Sequence, residues 1–165
     1  MGPKENTTEH KIPAGHIIFD HDGTLVNTEH FPAFLFDGIR ELLIELKSKG
    51  FELYVWTSRP RRSTLESLGK FDIQQFFSDI YCYDDGLPKP NPMGLERLTP
   101  GLQKNKILHI GDSYTDLEGA KAYGIEVVLA CWNNADQVNK YHDITDYTAL
   151  NFIELREVIK GKFYV

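Results

Sequence analysis

The chain has 165 residues, a size typical of a single folding domain, and a hydrophobic content of 41% excludes a disordered composition. The net charge of −6 argues against nucleic acid as a partner, and no apolar run reaches the roughly 18 residues of a membrane span. The first fifteen residues lack the apolar segment of a secretory signal, and the only cysteines are Cys82 and Cys131. We therefore expect a cytoplasmic protein with reduced cysteines, built from a disordered or loosely ordered tail over residues 1–15 and one domain over residues 16–165.

Strand-like and helix-like segments alternate along the chain. The predicted strands cover residues 17–20, 51–56, 80–83, 107–110 and 126–132. The predicted helices cover residues 35–46, 61–68 and 152–160, together with one that begins at Asn91-Pro92 and one from Thr115 to Gly124. Thr115 and Glu118 have the spacing of a capping box, and Gly124 is a natural helix end. The alternation predicts an α/β fold, a three-layer Rossmann-like sandwich with a mainly parallel five-stranded sheet.

Polar side chains follow four of these strands. Parallel strands place their C-terminal ends along one edge of the sheet, where such folds bind ligands. Clustered carboxylates suit Mg²⁺, a lysine and a hydroxyl suit phosphate oxygens, and a carboxylate can accept a phosphoryl group in covalent catalysis. The pattern thus indicates phosphoryl chemistry with Mg²⁺ at this edge. The residues at the strand ends are Asp20, Asp22, Thr57, Ser58, Arg59, Lys89, Asp112, Ser113 and Asp116.

Four short motifs, in this order, resemble those of the haloacid dehalogenase superfamily phosphatases. They are FDHDGTLV from Phe19, YVWTS from Tyr54, Lys89 within LPKPNP, and HIGDSYTD from His109. The first matches the pattern D-x-D-G-T and the last matches G-D-S-x-x-D, and the resemblance covers residues 17–129. The last motif and the segment GAKAYGIEVVLA look most like phosphoglycolate-phosphatase-type members, which favours a small phosphate monoester as the substrate.

The resemblance implies a catalytic role for each matching residue. Asp20 would be the nucleophile that forms an aspartyl-phosphate, and Asp22 would protonate the leaving oxygen and then activate water. Thr57 and Lys89 would bind the phosphoryl group. Further substrate-binding candidates around these motifs are Gly23, Thr24, Ser58 and Arg59.

The resemblance also implies a Mg²⁺ site. Asp20, Asp112 and the backbone carbonyl of Asp22 would ligate the ion, and Asp116 would support it directly or through water. Asp22 needs a raised pKa to act as an acid near neutral pH, whereas Asp20 must stay ionised beside the metal.

Several of these residues also have a simpler structural interpretation. The Asp-Gly pair at Asp22 is a common turn signal, and Asp116 could complement a helix dipole as a first-turn acid. Arg59 could recognise a second anionic group of the substrate or merely begin a surface helix. We expect His21 to have no direct catalytic role and His109, inside a predicted strand, to be a packed core histidine.

The motif spacing leaves no room for an inserted cap domain. Asp20 and Thr57 are 37 residues apart, and Thr57 and Lys89 are 32 residues apart, so we predict a capless protein with a flap over residues 27–36. An open site would admit a bulky phosphorylated substrate, or a homo-oligomer partner would supply a lid over a small one. We expect a phosphorylated small molecule as the ligand, with no nucleic acid and no membrane as partners.

These features predict a phosphatase that uses Mg²⁺ and hydrolyses a phosphate monoester through an aspartyl-phosphate on Asp20. One alternative is a phospho-accepting receiver-type signalling domain, which also gathers carboxylates, a hydroxyl and a lysine at strand ends. Such a domain has no D-x-D-G-T motif, so Asp22 favours the phosphatase. The other alternative is a catalytically idle phosphate-binding scaffold of the same fold.

Overall fold

Six parallel strands form one central sheet in the part of the chain that the computed structural model describes, Gly2 and residues 11–165. The order across the sheet is β5-β4-β1-β6-β7-β8, and β2 and β3 form a separate antiparallel hairpin. The central strand β1 therefore has β4 on one side and β6 on the other, and the crevice at its C-terminal end is the usual ligand position in such sheets. The strands are β1 (His16–Phe19), β2 (Val26–Asn27), β3 (Phe34–Leu35), β4 (Glu52–Trp56), β5 (Asp79–Tyr81), β6 (Ile107–Gly111), β7 (Glu126–Ala130) and β8 (Tyr147–Ala149).

Helices cover both faces of the sheet and create two hydrophobic cores. The alternation of side chains along β1 sends Ile17 and Phe19 into the core beneath α1, α2 and α6, and Ile18 into the core beneath α3 and α4. The predicted three-layer α/β sandwich is confirmed. The helices are α1 (Ile39–Ser48), α2 (Arg61–Lys70), α3 (Met93–Leu98), α4 (Tyr114–Tyr123), α5 (Gln137–Tyr141) and α6 (Phe152–Phe163).

The sheet has one strand more than the five predicted, because β8 was not foreseen. This strand is three residues long, pairs only with β7 in the described part of the chain and is buried fully only at Ala149. A short, half-exposed edge strand has too few apolar residues to show a strand pattern in the sequence. β8 therefore forms the edge of the sheet on that side, and the predicted fifth strand, which is β7, lies next to it inside the sheet.

The start of α4 also corrects a prediction. The capping box consists of Ser113 and Asp116, not of Thr115 and Glu118. Ser113 has an extended backbone, and the Asp116 carboxylate accepts a hydrogen bond from the Ser113 backbone N–H at 3.1 Å. Because this helix begins directly after the end of β6, its first turn lies at the sheet edge. The helix ends at Gly124, as predicted.

The predicted tail over residues 1–15 lies mostly outside the described residues. Within the described part, the Ala14 backbone N–H donates to the Gly50 carbonyl at 3.0 Å, and Gly15 is buried. No helix among the described residues combines the length and the hydrophobicity that crossing a membrane requires. The cytoplasmic location stays a prediction.

Candidate active site

Three of the predicted metal-binding residues come together at the C-terminal edge of the sheet. Asp20 follows β1, Asp112 follows β6, and Asp116 lies in the first turn of α4. One carboxylate oxygen from each lies within 4.8 Å of the others, and Asp20 and Asp116 are buried. Among the described residues, the side chain of Asp22 is not part of this cluster.

Lys89 reaches the cluster from the loop after β5. Its Nζ donates to Asp20 Oδ1 at 2.9 Å and to Asp116 Oδ1 at 2.5 Å, and only 2% of its side chain is exposed. The ammonium also lies 4.6 Å from the centre of the Trp56 ring. Burial alone would lower the pKa of Lys89, but the charges of Asp116 and Asp20 raise it, so the side chain stays a cation.

The negative charge of the cluster exceeds what Lys89 neutralises. Burial and the neighbouring Asp116 raise the pKa of Asp20 well above its ordinary value despite the opposing effect of Lys89. Burial likewise raises the pKa of Asp112 to about 6. Clustered carboxylate oxygens with excess negative charge suit a hard divalent cation, so these residues fit Mg²⁺.

The carboxylate of Asp116 already has all its hydrogen-bond positions filled. Oδ1 accepts from Lys89 Nζ and faces His109 Nε2 at 2.8 Å, while Oδ2 accepts from the Ser113 backbone N–H and the Ser113 hydroxyl at 2.8 Å. Burial raises the pKa of Asp116, but Lys89 and His109 outweigh burial and hold this pKa far below its usual range. A carboxylate offers about four lone-pair positions, so a direct metal bond to Asp116 would have to displace one of these donors.

His109 is a site residue that the sequence interpretation missed. It is fully buried, as predicted, but its Nδ1 lies 2.8 Å from the Ile18 carbonyl oxygen and its Nε2 contacts Asp116. A histidine within an apolar strand needs polar partners for both ring nitrogens. The sequence signal for a role in the site was therefore a histidine inside an apolar strand, two residues before Gly111 of the last motif.

Asp22 lies beside Arg59 instead of within the carboxylate cluster. Its Oδ1 accepts a hydrogen bond from Arg59 Nη1 at 2.9 Å and lies 3.3 Å from His21 Nδ1. Burial raises the pKa of Asp22, but His21 and Arg59 outweigh it, so this pKa is lowered. The pKa of Asp22 is thus lowered and that of Asp20 is raised, and the roles of Asp22 as an acid and of Asp20 as an ionised nucleophile stay predictions.

The side chains of Arg59 and His21 have specific partners. Arg59 precedes α2, which begins at Arg61, so it does not begin a surface helix. His21 is fully buried, and its Nε2 lies 2.8 Å from Ser67 Oγ in α2. His21 thus ties the D-x-D-G-T turn to α2 and holds one side of Asp22.

The remaining predicted phosphate-binding residues line the ends of β1 and β4. Thr57 is buried, and its hydroxyl oxygen accepts from the Arg59 backbone N–H at 3.1 Å, which leaves the hydroxyl hydrogen free to donate. Ser58 is exposed. The hydroxyl of Thr24 is buried and has no partner among the described residues, so it is an unused hydrogen-bonding group next to the turn.

Gly23 allows the turn to pass close to Asp112. Its φ of 77° is in the left-handed region, and a Cβ at this position would lie 2.0 Å from Asp112 Oδ2. Only glycine fits both the backbone conformation and the space.

The predicted flap is the β2–β3 hairpin, and no cap is inserted. The connection from Asp20 to Thr57 holds only this hairpin, α1 and β4 within the described chain. The connection from Thr57 to Lys89 holds α2, β5 and two short turns of 3₁₀ helix. Phe31, in the turn between the two strands of the hairpin, is 96% exposed and is therefore not a core residue.

Comparison with known proteins identifies a family for most of the chain. A family model described as haloacid dehalogenase-like hydrolase matches residues 32–130. The matched span includes Thr57, Lys89, Asp112 and Asp116 and begins after the D-x-D-G-T motif.

Two similar curated proteins have names that describe different activities. The phosphoglycolate phosphatase of Haemophilus influenzae is 36% identical over 98 residues, which cover 57% of this chain and 43% of that protein. The tyrosine-protein kinase PtkA of Mycobacterium bovis is 32% identical over 130 residues, which cover 76% of this chain and 45% of that protein. The chain thus spans less than half the length of either relative.

A solved structure shares the fold. The crystal structure of a protein described as a predicted phosphoglycolate phosphatase from Haemophilus somnus has a TM-score of 0.77 to this chain at 20% sequence identity. The alignment covers 88% of this chain and 97% of that chain. At this identity the likeness establishes the Rossmann-like architecture and nothing finer.

Proposed function

Because this chain belongs to the haloacid dehalogenase-like hydrolase family, we propose that it is a Mg²⁺-dependent phosphatase that hydrolyses a phosphate monoester through an aspartyl-phosphate on Asp20. The observation that carries the proposal is the buried contact of Lys89 with Asp20 and Asp116, with Asp112 beside them. The carboxylate of Asp20 can act as the nucleophile, and the adjacent ammonium of Lys89 can bind the anionic phosphate.

Asp20, Asp112 and the backbone carbonyl of Asp22 are the groups that would hold Mg²⁺. Bound there, the ion would offset the repulsion between an anionic nucleophile and an anionic phosphate. The raised pKa values of Asp20 and Asp112 support this assignment, because both carboxylates lack sufficient positive charge nearby. Asp116, whose oxygens already have their donors, would support the site through Lys89.

The side chains would divide the reaction into two displacements. In the first, an oxygen of Asp20 bonds to phosphorus, the bond from phosphorus to the leaving oxygen breaks, and Asp22 gives that oxygen a proton. In the second, Asp22 takes a proton from water, the water oxygen bonds to phosphorus, and the bond from phosphorus to Asp20 breaks. Lys89 and the Thr57 hydroxyl would hold the other phosphoryl oxygens throughout.

The two steps indicate which residues would bind each part of the substrate. Because Asp22 must contact the leaving oxygen, Arg59, 2.9 Å from Asp22, would meet the part of the substrate that leaves. Ser58, Thr24 and the backbone at Gly23 would complete the phosphate cradle. We propose a small phosphorylated molecule as the substrate, consistent with the relative named phosphoglycolate phosphatase. A second copy of the chain as a lid remains part of this proposal, which gel filtration with substrate present would test.

The test is hydrolysis of p-nitrophenyl phosphate and of a panel that contains phosphoglycolate, phosphorylated sugars and a phosphotyrosine peptide. We expect activity with Mg²⁺, its loss with EDTA and its return when Mg²⁺ is added again. Asp20→Asn should lower kcat by about a thousandfold or more, because the nucleophile is lost. The control Asp143→Asn changes an exposed carboxylate that, within residues 11–165, pairs only with His142, and it should keep kcat within about twofold.

The outcomes separate the alternatives. Absence of metal-dependent hydrolysis for every compound would contradict the proposal. Binding of phosphate without turnover would favour the idle scaffold. A phosphoryl group that stays on Asp20 without release of phosphate would favour the receiver-type domain.

A further inference from the structure

His109 connects the strand of the nucleophile to the carboxylate that holds Lys89. In the sheet it lies opposite Ile18 of β1, two residues before Asp20. Its Nδ1 is 2.8 Å from the Ile18 carbonyl oxygen, and its Nε2 is 2.8 Å from Asp116 Oδ1. One imidazole therefore spans from β1 to the first turn of α4.

The contact to Asp116 falls on the oxygen that Lys89 also uses. Asp116 Oδ1 receives Lys89 Nζ at 2.5 Å and His109, whereas Oδ2 is bonded to Ser113. Ser113 can fix Oδ2 within the capping box, but rotation of the carboxylate about that anchor would move Oδ1 and Lys89 with it. His109 is the contact that restrains such a rotation.

Trp56 closes the opposite side of this arrangement. Its ring packs edge-on against His109, with 5.2 Å between ring centres, and under the Lys89 ammonium at 4.6 Å. Gly94 and Gly119 leave space for the indole, since a Cβ at either would lie within 2.4 Å of a Trp56 ring atom. The packed indole therefore restricts the movement of the imidazole.

An apolar residue would serve the core better at this position. The residues opposite His109 on the neighbouring strands are Ile18 and Val127, both buried members of the core beneath α3 and α4. A buried imidazole costs desolvation free energy that an aliphatic side chain avoids, unless its hydrogen bonds serve another purpose.

We propose that His109 is a positioning residue that acts through Asp116 to keep Lys89 directed at Asp20 and at the phosphate. This inference rests on the proposed phosphatase function. Lys89 has four rotatable side-chain bonds, so without a fixed partner its ammonium would occupy several positions and bind a phosphate oxygen less well.

Two amide substitutions separate the contacts of His109. In His109→Gln the amide nitrogen can take the place of Nε2 and donate to Asp116. In His109→Asn the shorter side chain places its nitrogen near the position of Nδ1, where it can reach only the Ile18 carbonyl. The matched control is His16→Asn, which changes a buried histidine of β1 whose Nδ1 contacts the Tyr54 hydroxyl at 2.9 Å.

The measurements are calorimetric binding of inorganic phosphate in the presence of Mg²⁺, kcat and KM for p-nitrophenyl phosphate, and Tm. We expect His109→Asn to weaken phosphate binding about tenfold and to lower kcat to a similar extent, because one charge-assisted hydrogen bond is lost. His109→Gln should stay within about threefold of wild type. His16→Asn should lower Tm while phosphate binding and kcat stay unchanged.

Equal effects of the Asn and Gln substitutions, or a change in Tm alone, would overturn the inference. His109→Leu gives the same comparison with Gln if the Asn variant does not fold. A wild-type protein that neither binds phosphate nor hydrolyses the ester would overturn the proposed function and this inference together. A wild-type protein that does both, with His109→Asn indistinguishable from it, would overturn this inference alone.

Discussion

At the scale of single residues, the space around Gly23 shapes the site as much as the charged groups do. The left-handed backbone at Gly23 brings the D-x-D-G-T turn against Asp112, on the neighbouring strand end. Any side chain would push this carboxylate away from Asp20. Gly101 has a similar φ of 70° but has open space where a Cβ would lie, so it provides a matched control.

We expect Gly23→Ala to raise the Mg²⁺ concentration for half-maximal activity at least tenfold and to lower kcat. Gly101→Ala should cost about 1 kcal/mol of stability, the penalty of a left-handed alanine, and leave activity per folded molecule unchanged. Urea unfolding and Mg²⁺ titration of both variants check this prediction. Equal Mg²⁺ responses of the two alanine variants would show that the clash with Asp112 has no consequence.

At the scale of elements, the sequence predicted the segments with strong periodicity and missed the weak ones. Four of the predicted strands, β1, β4, β6 and β7, are almost wholly buried, and these strands and the helices beginning near Ile39, Arg61 and Phe152 carry enough apolar residues to be recognised. The edge strand β8 and the five-residue α5 are too short for that. The capping box at Ser113 was displaced by two residues because both Ser113 and Thr115 precede an acid at the required spacing, and only the backbone angles decide between them.

The N-terminus of α6 has a cap that supports a stability prediction. The Asn151 side-chain oxygen accepts from the Glu154 backbone N–H at 2.9 Å, and Glu154 in return accepts from the Leu150 N–H at 2.7 Å. Asn151→Ala should therefore lower the free energy of unfolding by about 1 kcal/mol, measured by urea unfolding. Asn139→Ala, an exposed asparagine within α5, should cost less than about 0.5 kcal/mol. A cost at Asn139 equal to that at Asn151 would contradict the capping role.

At the scale of the whole molecule, one sheet with a core on each side decides which groups meet. Motif order alone placed Asp20, Lys89, Asp112 and Asp116 at one edge, because parallel strands end together. The pairing of Asp22 with Arg59 and of Asp116 with His109 could not be predicted, since both depend on side-chain directions that follow only from packing. The sequence therefore predicted which carboxylates and which lysine gather at this edge, but not the contacts that Arg59 and His109 make with them.

Burial also determines the reactivity of the two thiols. Cys82 and Cys131 are buried and free, and burial raises the pKa of Cys131 to about 11 and that of Cys82 above its ordinary value. Because the thiolate is the reactive form, neither should react appreciably with a thiol reagent at pH 8 in the folded protein. In urea both thiols should react, and the number of reactive thiols should be the same with and without prior reduction. Fast labelling of the folded chain, or a number of reactive thiols that rises after reduction, would contradict the prediction.

The position of Trp56 has a spectroscopic consequence. The chain contains two tryptophans, and both lie at the candidate site: Trp56 under Lys89, and Trp132 with its indole N–H donating to the Thr24 carbonyl at 3.0 Å. Indole emission responds to nearby charge, so movement of the Lys89 ammonium toward an anion would change the intensity of Trp56. The intrinsic fluorescence of the unlabelled protein is therefore a direct optical signal for ligand occupancy, which Trp56→Phe should remove and Trp132→Phe should leave.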